Sequence, residues 1–95
     1  MSKYTAEYTN EYKGNRRAVI ERGYDTTKLD DTIDILLQGE PVPARYKDHA
    51  LKGNWSGYRE CHVDGMGDWL LVYKKHEGTL ILLFTGTGTH SDLFD

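Results

Sequence analysis

The stretch Tyr58-Arg59-Glu60-Cys61-His62-Val63-Asp64-Gly65-Met66-Gly67-Asp68-Trp69-Leu70-Leu71-Val72-Tyr73-Lys74 constrains this chain more than any other. Two runs of strand-forming residues flank Asp64-Gly65-Met66-Gly67, whose residue types tolerate the positive φ angles of a tight reversal. The expectation is an antiparallel hairpin that brings His62, at the end of one strand, close to Asp68, at the start of the next. A further apolar run, Thr79 to Thr85, leads into Gly86-Thr87-Gly88-Thr89-His90. Pairing of that run with the second strand of the hairpin would carry His90 to the same rim. Two imidazoles and a carboxylate at one end of a small sheet suit acid–base chemistry.

The remaining sequence supplies a frame for that sheet. Tyr4-Thr5-Ala6-Glu7-Tyr8 has the residue types of an edge strand. Asn10 to Arg22 follows a helical pattern, with Tyr12 and Val19 on one face and Ala18 or Asn15 beside them. Gly14 lies inside it at a cost of about 1 kcal/mol relative to alanine, and Gly23 is a natural stop. In a second helix, Leu29, Ile33, Leu36 and Leu37 form one apolar stripe. Thr26 or Thr27 is its expected cap, and Asp30 and Asp31 are expected in its first turn. Gly39, Pro41 and Pro43 end it.

Residues 45–57 are polar, glycine-bearing and irregular, and read as a loop. Arg45, Lys47, Lys52 and Arg59 make the region basic, with Tyr46 and Trp55 between the charges. A solvated surface loop and a surface that grips phosphates and stacks bases fit that composition equally. Leu80-Ile81-Leu82-Leu83-Phe84 is continuously apolar, as in a strand buried on both faces or at the centre of a sheet. Ser91-Asp92-Leu93-Phe94 is expected to turn back and pin the C-terminus. The order β-α-α-β-β-β describes an α+β fold, one domain over residues 1–95, with both helices on one face of a small, mostly antiparallel sheet.

Several functions are disfavoured by the same residues. A net charge of −3 provides no global field for nucleic acid, so any polyanion contact must be local. The single cysteine, Cys61, rules out an internal disulfide and suits a reducing compartment. No run approaches the length of a membrane span, and Met1-Ser2-Lys3-Tyr4 does not open a signal peptide, so a soluble cytoplasmic protein is expected. Cys61 and His62 adjoin on a strand and point to opposite faces, and no CxxC or HxxxH spacing exists, so no zinc site is expected. Gly86-Thr87-Gly88-Thr89 lacks the lysine and the long helix of a phosphate-binding loop. There is no nucleophile elbow for a serine hydrolase. A helix–turn–helix DNA reader is disfavoured because its second helix would be acidic.

What remains is histidine. His49, His62 and His90 can meet at the sheet rim with Asp68, whereas His76 lies in the exposed turn Lys74-Lys75-His76-Glu77-Gly78. RNA carries its own nucleophile, the 2′-hydroxyl. A protein that removes its proton, protonates the departing 5′-oxygen and neutralises the phosphorane suffices for cleavage. Two or three histidines and a nearby cation meet that requirement.

Four ordered motifs carry a resemblance: Tyr46-Lys47-Asp48-His49-Ala50-Leu51, Gly57-Tyr58-Arg59-Glu60-Cys61-His62, Asp68-Trp69-Leu70-Leu71-Val72-Tyr73 and Thr87-Gly88-Thr89-His90-Ser91-Asp92-Leu93-Phe94. Together they resemble the YafQ branch of the RelE/ParE superfamily of bacterial type II toxins, over essentially the whole chain. The resemblance implies two N-terminal helices against a small sheet. It also implies metal-free cleavage of mRNA in the ribosomal A site by 2′-hydroxyl attack, with no cofactor, and a DinJ- or RelB-like antitoxin as partner in a hetero-oligomer. By motif match the functional positions are His49, His62, Asp68, His90 and Phe94, with Trp69 beside them. His49 is the expected general base and His90 the general acid. His62 and Asp68 are expected to orient groups or share proton transfer, Phe94 to position the nucleotide, and Lys47, Lys52 and Arg59 to contact RNA.

Two departures from the family pattern stand out. Arg-Thr-Gly-Thr-His is the usual reading where this chain has Gly86-Thr87-Gly88-Thr89-His90, so the arginine expected on the scissile phosphate is missing. Loss of one such group costs about 10²–10³-fold in rate. A weakened toxin, a disabled relative that still binds antitoxin or ribosome, and a detoxifying substitution are all consistent with Gly86. A ParE-like gyrase inhibitor is a further alternative, though that branch is not expected to carry these histidines. The hairpin turn is also longer than usual by about two residues, an even insertion that leaves Asp68 on its face.

Overall fold

The chain runs through β1 (Thr5–Tyr8), α1 (Asn10–Glu21), α2 (Thr26–Leu37), β2 (His49–Ala50), β3 (Arg59–His62), β4 (Leu70–His76), β5 (Ile81–Gly88) and α3 (His90–Phe94). This computed structural model describes residues 2–65 and 67–94. The strands form one sheet in the order β1-β5-β4-β3-β2. β1 lies parallel to β5, with Thr5 beside Ile81, and every other pairing is antiparallel. The α+β class and the mostly antiparallel sheet agree with the sequence reading. Elements beyond that reading are the two-residue β2 and short 3-10 turns at Ala44–Tyr46 and Gly53–Trp55, which give order to the segment read as a loop, a 3-10 turn at Val63–Gly65 in the hairpin, and α3 at the end.

Local chemistry explains the helices. Thr9 caps α1 by accepting the Tyr12 N–H, and the helix runs unbroken through Gly14. α2 is capped by Asp25, which accepts both the N–H and the hydroxyl of Thr27, and not by Thr26 or Thr27. These bonds hold the Asp25 carboxyl below its ordinary pKa, the Thr27 hydroxyl more than the amide. Starting at Thr26, α2 carries no acid in its first turn, so Asp30 and Asp31 fall one turn later than expected. Gly23 and Gly39 adopt φ of 85° and 75°, the left-handed stops that follow the two helices.

Tyr12 of α1 and Leu29, Ile33 and Leu36 of α2 join Cys61, Leu71, Tyr73, Leu82 and Phe84 in one buried cluster. That burial covers one face of the sheet. The other face is organised by a bulge. Tyr73 pairs with Phe84 but Val72 pairs with Gly86, so Thr85 is left without a partner residue on β4. The extra residue turns Gly86 and Gly88 away from the core face, into line with Val72 and Leu70. The hairpin between β3 and β4 closes as expected, with Val63 N–H on the Trp69 carbonyl at 2.7 Å. Asp64, Gly65 and Gly67 all have positive φ. Met66 of the predicted turn lies outside the described residues. Among the described residues no helix is long and apolar enough to cross a membrane.

Candidate active site

On the face opposite the core, the ladder aligns side chains in rows. His49 pairs with Glu60, Glu60 with Val72 and Val72 with Gly86. The next row is His62, Leu70 and Gly88. Residues two apart along β3 share a face, so Glu60 and His62 stand side by side there. β5 then runs through Thr89 into α3, which brings His90 and Phe94 back over this face.

α3 has only five residues and is fastened at its start by three contacts. Thr89 and Asp92 cap reciprocally: Asp92 Oδ2 accepts the Thr89 N–H at 2.8 Å, and Thr89 Oγ1 accepts the Asp92 N–H at 3.2 Å. Arg22, at the end of α1, donates to Asp92 at 2.9 Å. The Thr89 amide first, and then Arg22, hold the Asp92 carboxyl below its ordinary pKa. Asp68 Oδ1 accepts the His90 backbone N–H at 3.2 Å. Asp68 therefore holds the backbone of His90.

A cavity of about 330 Å³ opens between α3 and the segment after β2, lined by Leu51, Lys52, Trp55, Glu60, His90 and Phe94. Phe94 lies 5.1 Å from both the His90 and the Trp55 rings. His49 stands at its edge, Nε2 3.9 Å from a carboxylate oxygen of Glu60, which is itself buried. His49 Nδ1 lies 2.7 Å from the Lys47 carbonyl and His62 Nδ1 2.8 Å from the Gly67 carbonyl. A carbonyl only accepts, so each ring donates from Nδ1, and in the neutral ring Nε2 is the basic nitrogen. Lys47 reaches this role through a left-handed φ of 52°.

The structure thus brings His90, Phe94 and Lys52 to one cavity, with His49 beside it only through Glu60 and with His62 and Asp68 in the adjoining hairpin. Other predicted contacts are engaged elsewhere. Arg59 donates to Asp48 at 2.8 Å, and its Nε is buried without a partner. Trp69 is half-buried, its indole N–H on Thr87 Oγ1 at 2.9 Å and its ring edge-on to Tyr24. The Lys47 side chain is exposed and contributes its carbonyl. Gly86 is buried; a Cβ there would lie 3.2 Å from Leu93 Cδ2 and 3.3 Å from Asn15 Oδ1. Glu60 and Trp55 were not singled out from sequence as site residues. The signal for Glu60 was present, since it alternates with His62 on one strand face. Trp55 carried only the composition of its loop.

Comparison with known proteins places this geometry. A family model described as a bacterial toxin of type II toxin-antitoxin system, YafQ, matches residues 4–95. The chain is 40% identical over 89 residues, 93% of its length and 92% of the relative's, to the mRNA interferase toxin YafQ of Escherichia coli K12. The toxin in the crystal structure of the E. coli DinJ-YafQ toxin-antitoxin complex superposes with a TM-score of 0.85 at 38% identity, over 98% of this chain and 99% of that one. YafQ from E. coli strain BL21(DE3) gives a TM-score of 0.87 at 35% identity, over 97% and 99% of the two chains.

Proposed function

Since the chain belongs to the YafQ family of bacterial toxins of type II toxin-antitoxin systems, we propose that it is an mRNA interferase whose proton transfers are carried by His49 and His90. The observation that carries this reading is the placement of His90, Phe94 and Glu60 on one open cavity, with His49 Nε2 3.9 Å from Glu60. His49 Nε2 takes the proton of a 2′-hydroxyl as the O2′–P bond forms. The P–O5′ bond breaks, and His90 gives its proton to the departing O5′, leaving a 2′,3′-cyclic phosphate and a 5′-hydroxyl. Every step is a proton transfer or a displacement at phosphorus. Asp68 and the Gly67 carbonyl orient His90 and His62, and Phe94 supplies an apolar wall for the nucleotide. Lys52 lines the same cavity and supplies a cation there. Gly86 brings none, which supports a lowered rate.

The substrate is mRNA in the ribosomal A site, and the neutralising partner is an antitoxin resembling DinJ, both in the cytoplasm where ribosomes are. Cleavage on programmed ribosomes tests the reading. His90→Ala and His49→Ala should each lower the single-turnover rate by about 10²-fold or more. Either variant cutting at the unaltered rate overturns the assignment.

A further inference from the structure

A second cavity, of about 480 Å³, adjoins the first and is lined in part by Glu11, Asn15, Trp55, Tyr58, Asp92 and Leu93. Trp55 lines both cavities and is 38% exposed, which leaves part of its ring open to stack with an occupant. A row of aromatic rings crosses from one cavity to the other. His90 lies 5.1 Å from Phe94, Phe94 5.1 Å from Trp55, and Trp55 5.5 Å from Tyr58.

The polar lining discriminates among occupants. Glu11 and Asn15 are four residues apart on α1 and share a face. Asn15 Oδ1 accepts the Thr87 N–H at 3.3 Å, which orients the amide and leaves its Nδ2 donor for an occupant. Asp92 is engaged by Arg22 and Thr89, whereas Glu11 makes no ion pair among the described residues. Two carboxylates disfavour a phosphate. An acceptor beside a donor, between aromatic walls, suits the pairing edge of guanine: its N1–H and N2–H donate and its O6 accepts. Adenine would present the lone pair of N1 to Glu11. We infer that this cavity is a second RNA subsite that takes a guanine base next to the cut, stacked on Trp55 and read by Glu11 and Asn15. The inference rests on the nuclease reading for the RNA and for the position of the cut.

Gly86 keeps the subsite open. A side chain there starts between Asn15 and Leu93, two of the cavity's walls. Glycine where relatives are expected to carry arginine thus exchanges charge for space.

Two measurements on the full chain test the subsite. One is cleavage on ribosomes programmed with messages that differ in one base beside the cut. The other is fluorescence titration of the free chain with 5′-GMP, 5′-AMP and 5′-CMP. The expected result is a guanine preference of about tenfold at one flanking position, falling to about twofold in Glu11→Gln. GMP binding should weaken at least tenfold in Trp55→Ala. Trp55 also touches Phe94, so Glu11→Gln, which leaves that contact in place, carries the test. Equal affinity for GMP and AMP, or a preference unchanged in Glu11→Gln, overturns the inference. Cleavage without flanking preference would leave the nuclease standing and the subsite refuted. Selective GMP binding without cleavage would do the reverse.

Discussion

Asp48 precedes His49 and ties the edge of the sheet to its core. It accepts from the Tyr73 hydroxyl on one oxygen and from Arg59 on the other. Burial, reinforced by the Asp48 carboxylate, pushes the Tyr73 hydroxyl pKa far up, so it remains a donor. Asp48→Ala would strand a buried hydroxyl and a half-buried guanidinium together. The expected loss is about 2 kcal/mol, read as a lower urea midpoint with an unchanged m-value. Gly86 is the other decisive residue. Its φ lies outside the left-handed region, and the atoms crowding its absent Cβ are side-chain ends, so an arginine fits after Leu93 and Asn15 yield. Gly86→Arg should raise cleavage by about 10²-fold, measured on programmed ribosomes with a message lacking guanine beside the cut. The missing arginine at Gly86 was legible in sequence only as an absence, whereas the space left by that absence was not legible at all.

Among the elements, α3 is the most dependent on others. Five residues cannot sustain a helix alone, so its position is set by Asp68, Arg22 and the Thr89–Asp92 cap. Because the Asp92 pKa is depressed in the folded chain, its contribution is present above the unfolded carboxylate pKa and is lost as pH falls through the lower folded value. Acidification should therefore release α3 before the core unfolds. Amide signals of residues 90–94 followed by NMR, against those of β4, would show the order. Arg22→Ala removes one tether and should slow cleavage by about tenfold through misplacement of His90, with little change in thermal midpoint. The capping pattern of α3 is readable in Thr89-x-x-Asp92. The docking site is not, because Arg22 and Asp68 come from distant parts of the chain.

For the molecule as a whole, a net charge of −3 bears directly on how it meets RNA. Arg16, Arg22 and Arg59 are committed to Asp30, Asp92 and Asp48, and Lys52 is the cation that lines the histidine cavity. If the free chain neutralises two phosphates of single-stranded RNA, log K should fall with log salt at a slope of about −1.4. Fluorescence anisotropy between low and physiological salt measures it, and a much steeper slope would mean that more than two phosphates are neutralised. The helices, the hairpin and the apolar strand β5 were determined by the sequence, because periodicity, turn residues and strand alternation are local properties of a chain. Partial burial of Trp69, pairing of Arg59, recruitment of Glu60 and the cavity beside Gly86 were decided by tertiary structure. Each depends on which surfaces the bulge at Thr85 and the docking of α3 bring together across the sheet, and no local pattern encodes those contacts.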